Sequence, residues 1–173
     1  MPTYPIWSAL DGAEAHEIFL CAQETQKKLY RSALEALAKH MGLRPNKVLE
    51  LPKVERHAAW QHLLTYPQLE PMGFNFLCHW LIETQPALLA AWLDALGIAH
   101  DGHGLVEDFP PAPPKAQLQA ALDTVLKAYP ARQVSIYLRT FNEIDGVHWP
   151  ELDALIAEDA RLKLEPVLTS ATA

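Results

Sequence analysis

Residues 73–97 read GFNFLCHWLIETQPALLAAWLDALG, and the scarcity of polar residues in this run decides the fold. Before Pro86 the polar positions are Asn75, His79, Glu83, Thr84 and Gln85, and the first three fall four apart, on one helical seam. The remainder is apolar enough to require burial. The spacing predicts one helix from about 73 to 83 and a second from 86 to 96, closed by Gly97, together forming the apolar centre of the chain.

Working outward, the rest of the sequence is also helical in pattern. From Asp11 to Met41 there is one Gly, at position 12, and no Pro, while Glu24, Lys27, Lys28, Arg31, Glu35 and Lys39 recur at the spacing of a solvent face. Ile18, Ala22, Leu29, Ala33, Leu37 and Met41 lie opposite, facing inward. A single helix of about 30 residues would be about 45 Å long, unless it bends. Ser8 with Asp11 marks its start and Gly42 its end. A short helix follows over 45–51. Another spans 52–65, with Val54, Ala58, Leu63 and Leu64 turned inward.

After the core run, residues 97–113 hold three Gly and three Pro, which predicts one long loop. A helix from Pro114 to Tyr129 carries Leu118, Ala121, Leu122 and Val125 on one stripe. Residues 132–144 fit either a helix or an alternating strand, and the absence of any partner strand favours the helix. Pro150 opens the last helix, to about 159, and the tail from 160 is expected to be loose. These elements make an all-α chain: a single domain over 1–173, a compact orthogonal or irregular bundle of about seven helices with one long Gly/Pro-rich loop.

Composition narrows the function classes. The formal charge of −7 is uneven: residues 1–69 carry eight Lys and Arg against seven acids, residues 70–173 six against fourteen. The acidic part would repel a phosphate backbone, so any nucleic-acid contact must come from the first third. No run has the length and apolarity of a membrane span, and the N-terminus lacks signal-peptide character, which predicts a cytoplasmic protein without a membrane partner. Cys21 and Cys78 lie in apolar helical contexts without CxxC spacing, which predicts buried free thiols in a reducing compartment. The five Trp are expected to be packing anchors.

Three groups of residues are candidate sites. Leu37, Ala38, Met41, Gly42, Leu43, Val48 and Leu51, about 20 residues in all, have a spacing that resembles a helix-turn-helix DNA-binding unit: a small residue at the helix crossing, Gly at the turn and aliphatics at the anchors. That resemblance implies base and phosphate contacts from Arg44, Asn46, Lys47 and Glu50. His100, Asp101, His103 and Asp108, with Glu107 beside them, are metal-ligand types in the long loop. His79 and Glu83, one turn apart, have the spacing for acid-base work or metal binding. The Pro-rich run DFPPAPP at 108–114 favours an extended connector. No HExxH, nucleophile elbow or phosphate-binding Gly loop occurs, and no cofactor is indicated. The sequence therefore points to a non-catalytic protein-interaction module, acting on a protein partner or by self-association as a homodimer. A helix-turn-helix regulator and a metal-dependent hydrolase are the alternatives.

Overall fold

The computed structural model describes residues 2–167, and among these residues every regular element is helical. Ten α-helices follow one another: α1 Tyr4–Ala9, α2 Gly12–Thr25, α3 Lys27–Met41, α4 Pro45–Glu50, α5 Lys53–Leu63, α6 Glu70–Thr84, α7 Pro86–Leu96, α8 Lys115–Ala128, α9 Ala131–Phe141 and α10 Pro150–Glu158. Single 3-10 turns occupy Pro67–Leu69 and Ala160–Leu162. None of the described helices is long and apolar enough to cross a membrane.

The helix count exceeds the expected seven for local reasons. The helix expected from 11 to 41 breaks at Gln26, whose φ of −130° and ψ of 63° leave the helical region. Nothing at that position is a Gly or Pro. α1 precedes the expected start, with Pro5 in its first turn. α6 begins three residues before Gly73 and takes Pro71 into its first turn, where a missing N–H costs nothing. Asp11 does cap α2, accepting from the Ala13 and Glu14 amides while Glu14 reaches back to the Asp11 N–H.

The chain divides into two compact units, and the division falls within α6. One contains Thr3–Trp80 and the described residues after Leu164; the other contains Leu81–Leu164 and Pro2. Most of the apolar run of 73–96 is buried as expected, although Ile82 is 41% exposed, and its side chains serve two cores. Gly73, Phe76, Leu77 and Trp80 belong to the first unit, and Leu81, Leu88, Leu89, Trp92, Leu93 and Leu96 to the second. All five Trp are buried.

In the first unit the core centres on Phe19 of α2. Trp7 of α1 stacks on it at 5.4 Å, Phe76 of α6 meets it edge-on at 5.1 Å, and Trp60 of α5 lies at 5.1 Å. The start of α1 is held by Glu70, whose carboxylate accepts from the Thr3 amide and hydroxyl at 2.5 and 2.6 Å and from the Tyr4 amide at 2.7 Å. The carbonyls of Trp7 and Leu10 receive the buried Gln61 amide at 3.1 and 2.8 Å.

The second unit gathers on Phe141 of α9, with Phe109 at 5.5 Å, Trp149 at 5.4 Å and Trp92 at 6.3 Å, all edge-on. α9 buries Val134, Ser135, Ile136, Tyr137 and Leu138 in succession. A helix enclosed on nearly all sides satisfies both the helical and the alternating pattern, which explains its ambiguity in sequence. Asn142 closes the following turn in both directions, accepting from the Trp149 amide at 2.8 Å and donating to the Trp149 carbonyl at 3.2 Å. The segment expected to be loose from 160 instead turns once more, burying Leu162, whose carbonyl accepts from Ser135 Oγ at 2.6 Å. Residues 168–173 of that expected tail lie outside the described residues.

Gly73 is a close approach rather than a flexible point. A Cβ there would lie 2.6 Å from Trp7 Nε1. Gly73→Ala is expected to destabilise the protein by about 1–3 kcal/mol through overpacking, read as a lower urea midpoint with an unchanged slope.

Candidate functional site

The corner formed by the end of α3, by α4 and by the start of α5 is the most exposed part of the first unit. From Lys39 to Glu55 the side chains are exposed except for buried Val48 and half-buried Leu51. Gly42 ends α3 in the left-handed conformation, φ 64°, and the Leu43 amide bonds back to the Ala38 carbonyl, so the chain leaves the helix sharply. Pro45 starts α4, and Pro52 follows its end. The connectivity is that of two helices joined by a Gly turn.

Leu37, Ala38 and Val48 of the helix-turn-helix spacing are buried, whereas Met41 is 41% exposed and Leu43 42%. Arg44, Asn46, Lys47 and Glu50 are all exposed, and Lys47 Nζ donates to both Glu50 oxygens at 3.0 and 2.9 Å. Met41, expected on the inward stripe of the 11–41 helix, faces out.

What holds the corner is a residue that pattern reading passed over. Arg56 is buried, and its Nη1 donates to the carbonyls of Leu49 and Leu51 at 3.1 Å each, with Val48 at 3.5 Å. Its Nη2 donates to Tyr30 Oη at 3.2 Å, and the guanidinium carbon lies 6.0 Å from the Trp60 ring centre. The cation thus satisfies the exposed carbonyl end of α4 and draws on that helix's negative pole. Arg56 Nε is buried without a hydrogen-bond partner.

α5 therefore buries Leu63 and Leu64 as expected, but on a face turned away from Val54 and Ala58. Arg56, His57, Trp60 and Gln61 point inward, while Val54 is 70% exposed and Ala58 is exposed. The polar side chains are inside because each finds a partner: carbonyl oxygens for Arg56 and Gln61, a second imidazole for His57. His57 Nδ1 faces His16 Nδ1 of α2 at 2.8 Å. Only the arrival of two separate helix ends beside α5 makes these positions usable, and that information is not local.

The other candidates are arranged as follows. On α6, Asn75 and Glu83 are exposed, and half-buried His79 pairs through Nε2 with Thr25 Oγ1. Cys78 on the same helix is half-buried, and desolvation pushes its thiol up to about 12.

In the second unit, two of the ligand-type side chains of the 97–113 loop, His100 and Asp101, are engaged in bonds that shape the loop. His100 Nε2 lies 3.1 Å from Asp94 Oδ1, and its Nδ1 accepts from the Gly102 amide. Asp101 Oδ1 accepts from the His103 and Leu105 amides at 2.8 and 3.0 Å, and these two bonds hold its carboxyl below the usual range. His103 and Asp108 are exposed. A shallow cleft of about 460 Å³ is lined by His100, Asp101, Glu107 and Asp108, and a second of about 510 Å³ by the prolines from 110 to 114 with Leu96 and Ile98. Among the described residues no three His, Cys, Asp or Glu side chains come together in a way that would hold a metal ion.

No protein-family model, curated protein or solved structure is significantly similar to this chain.

Arg56→Met keeps the stem and removes the fork. It is expected to cost about 3 kcal/mol, because several charge-assisted hydrogen bonds are lost and the carbonyls of α4 are left facing an apolar group. Arg56→Lys should recover little of this, since an ammonium cannot span carbonyls and a phenol together. Urea unfolding gives the cost, and faster amide exchange confined to residues 45–51 locates it.

Proposed function

We propose that this chain is a non-catalytic protein-binding module whose α3–α4–α5 corner receives an acidic, amphipathic segment of a partner protein. One observation carries the reading. Of the eight large apolar side chains exposed among the described residues, four, namely Met41, Leu43, Leu49 and Val54, fall within this corner. Concentrated exposed apolar surface marks an interaction site, whereas scattered exposure does not.

Charge sets the partner's chemistry. Between Lys39 and Arg56 the chain has five Lys and Arg against two acids, in a protein whose formal charge is −7. A basic rim around apolar side chains complements an acidic helix with apolar residues at i, i+3 and i+4. The outward positions of Met41 and Leu43 favour protein over duplex DNA, because a helix-turn-helix needs aliphatic anchors inside to hold its second helix steeply. α4, at six residues, is also short for reading base edges. Thiols at Cys21 and Cys78, with no disulfide between them, fit a reducing compartment such as the cytoplasm.

Panning a random peptide display library against the whole chain tests the reading. The expected enrichment is for acidic amphipathic sequences, with binding weakened at least about tenfold by Leu43→Asp or Leu49→Asp and by Lys47→Glu. Absence of enrichment, or binding indifferent to these substitutions, would sink it. Retention of duplex DNA lost in Arg44→Ala and Lys47→Ala would replace it with the nucleic-acid reading. Self-association abolished by Leu49→Asp would make the partner a second copy.

A further inference from the structure

α2 and α5 are joined by two imidazoles, half-buried His16 and buried His57. The facing Nδ1 atoms of His16 and His57, 2.8 Å apart, hold one proton between them, one ring donating and the other accepting. His57 is 2% exposed; its ring stacks on Trp60 at 5.4 Å and 15°, with Phe19 at 5.2 Å and Tyr30 edge-on at 6.4 Å. Its Nε2 is buried without a hydrogen-bond partner. The titratable groups around it are His16 from α2, Tyr30 from α3, and Lys53 and Arg56 from α5 itself. The charges acting on His57 are all basic.

We propose that the His16–His57 pair is an acid-operated latch: with one shared proton it ties α2 to α5, and a second proton drives the rings apart and loosens α4 through the adjacent Arg56. The protons come from solvent and form N–H bonds: one added to the donor ring leaves the hydrogen bond intact, and the one that breaks it enters on the accepting Nδ1. Once both rings are imidazolium, neither facing nitrogen can accept, so a hydrogen bond becomes a contact between two cations. The new charge also acts on the Arg56 guanidinium that holds the carbonyl end of α4, the two being adjacent on α5 and coupled electrostatically.

Burial, then His16, Arg56 and Lys53, lower the His57 pKa from 6.5 to about 4. The unfolded chain therefore takes up this proton at a higher pH than the folded chain does. The latch's contribution to stability is complete above pH 6.5, declines as pH falls and is gone below about 4.

The experiment uses the full chain without a partner, so the latch and the binding reading fail independently. Urea unfolding of the wild type, His16→Gln and His57→Gln is measured between pH 7.5 and 4, and the histidine rings and the α4 amides are titrated by NMR in the wild type. Over the window from 6.5 to 4, the wild-type folding constant is expected to fall at least about tenfold more than that of His57→Gln, with His16→Gln intermediate. The α4 amide shifts should follow the His57 midpoint. Should His57→Gln not fold, the wild-type titration and His16→Gln decide alone. Three results would each overturn the latch: folded His57 titrating near 6.5, wild type and variants losing stability in parallel, or α4 amides that stay fixed while His57 titrates.

Discussion

A chain of many short helices must satisfy many helix ends, and that constraint organises both units of this protein. Each end leaves up to four amides or four carbonyls without a partner inside the helix. Where an end is buried, a side chain from elsewhere in the same unit comes to meet it: Glu70 at the start of α1, Gln61 at its close, Arg56 at the close of α4, Asn142 at the start of α10. Proline serves the same need differently, since α4, α6, α7 and α10 each place it in the first turn, where the missing amide would have had no partner. Arg56, Gln61 and Asn142 are buried as consequences of fragmentation, and the aromatic clusters on Phe19 and Phe141 lie at the centres of the two cores.

This constraint separates what was legible in the sequence from what was not. Helix class, the Pro86 break, the Gly42 and Gly97 terminations and the burial of the 73–96 run all follow from local pattern and turn chemistry. The break at Gln26 does not, because no Gly or Pro marks it. Most of the inward face of α5 was invisible for a related reason: Arg56, His57 and Gln61 look like a solvent stripe until carbonyls and an imidazole from other helices are brought to them. The sharing of the 73–96 run between two units is equally non-local, since periodicity reports that a side chain is buried and not which neighbours bury it.

The candidate site was half legible. The Gly turn and the exposed set Arg44, Asn46, Lys47 and Glu50 can be read from spacing, but the outward placement of Met41 and Leu43 cannot, since aliphatics at those positions ordinarily anchor a corner. Arg56 and His57, adjacent in sequence, divide the labour on α5: one secures the last turn of α4, the other secures α2. In the second unit, the 97–113 loop spends the side chains of His100 and Asp101 on its own geometry, with Gly104, at φ 87°, packed where a Cβ would collide with Leu89 Cβ.

Cys78 gives the first unit a built-in clock. A thiol whose pKa is pushed up to about 12 carries almost no thiolate at neutral pH, so it is nearly inert toward alkylating reagents while its surroundings stay closed. Each opening that returns water to α6 restores an ordinary sulfur nucleophile, and the labelling rate at that atom then times openings when alkylation outruns reclosing and follows the open fraction when it does not.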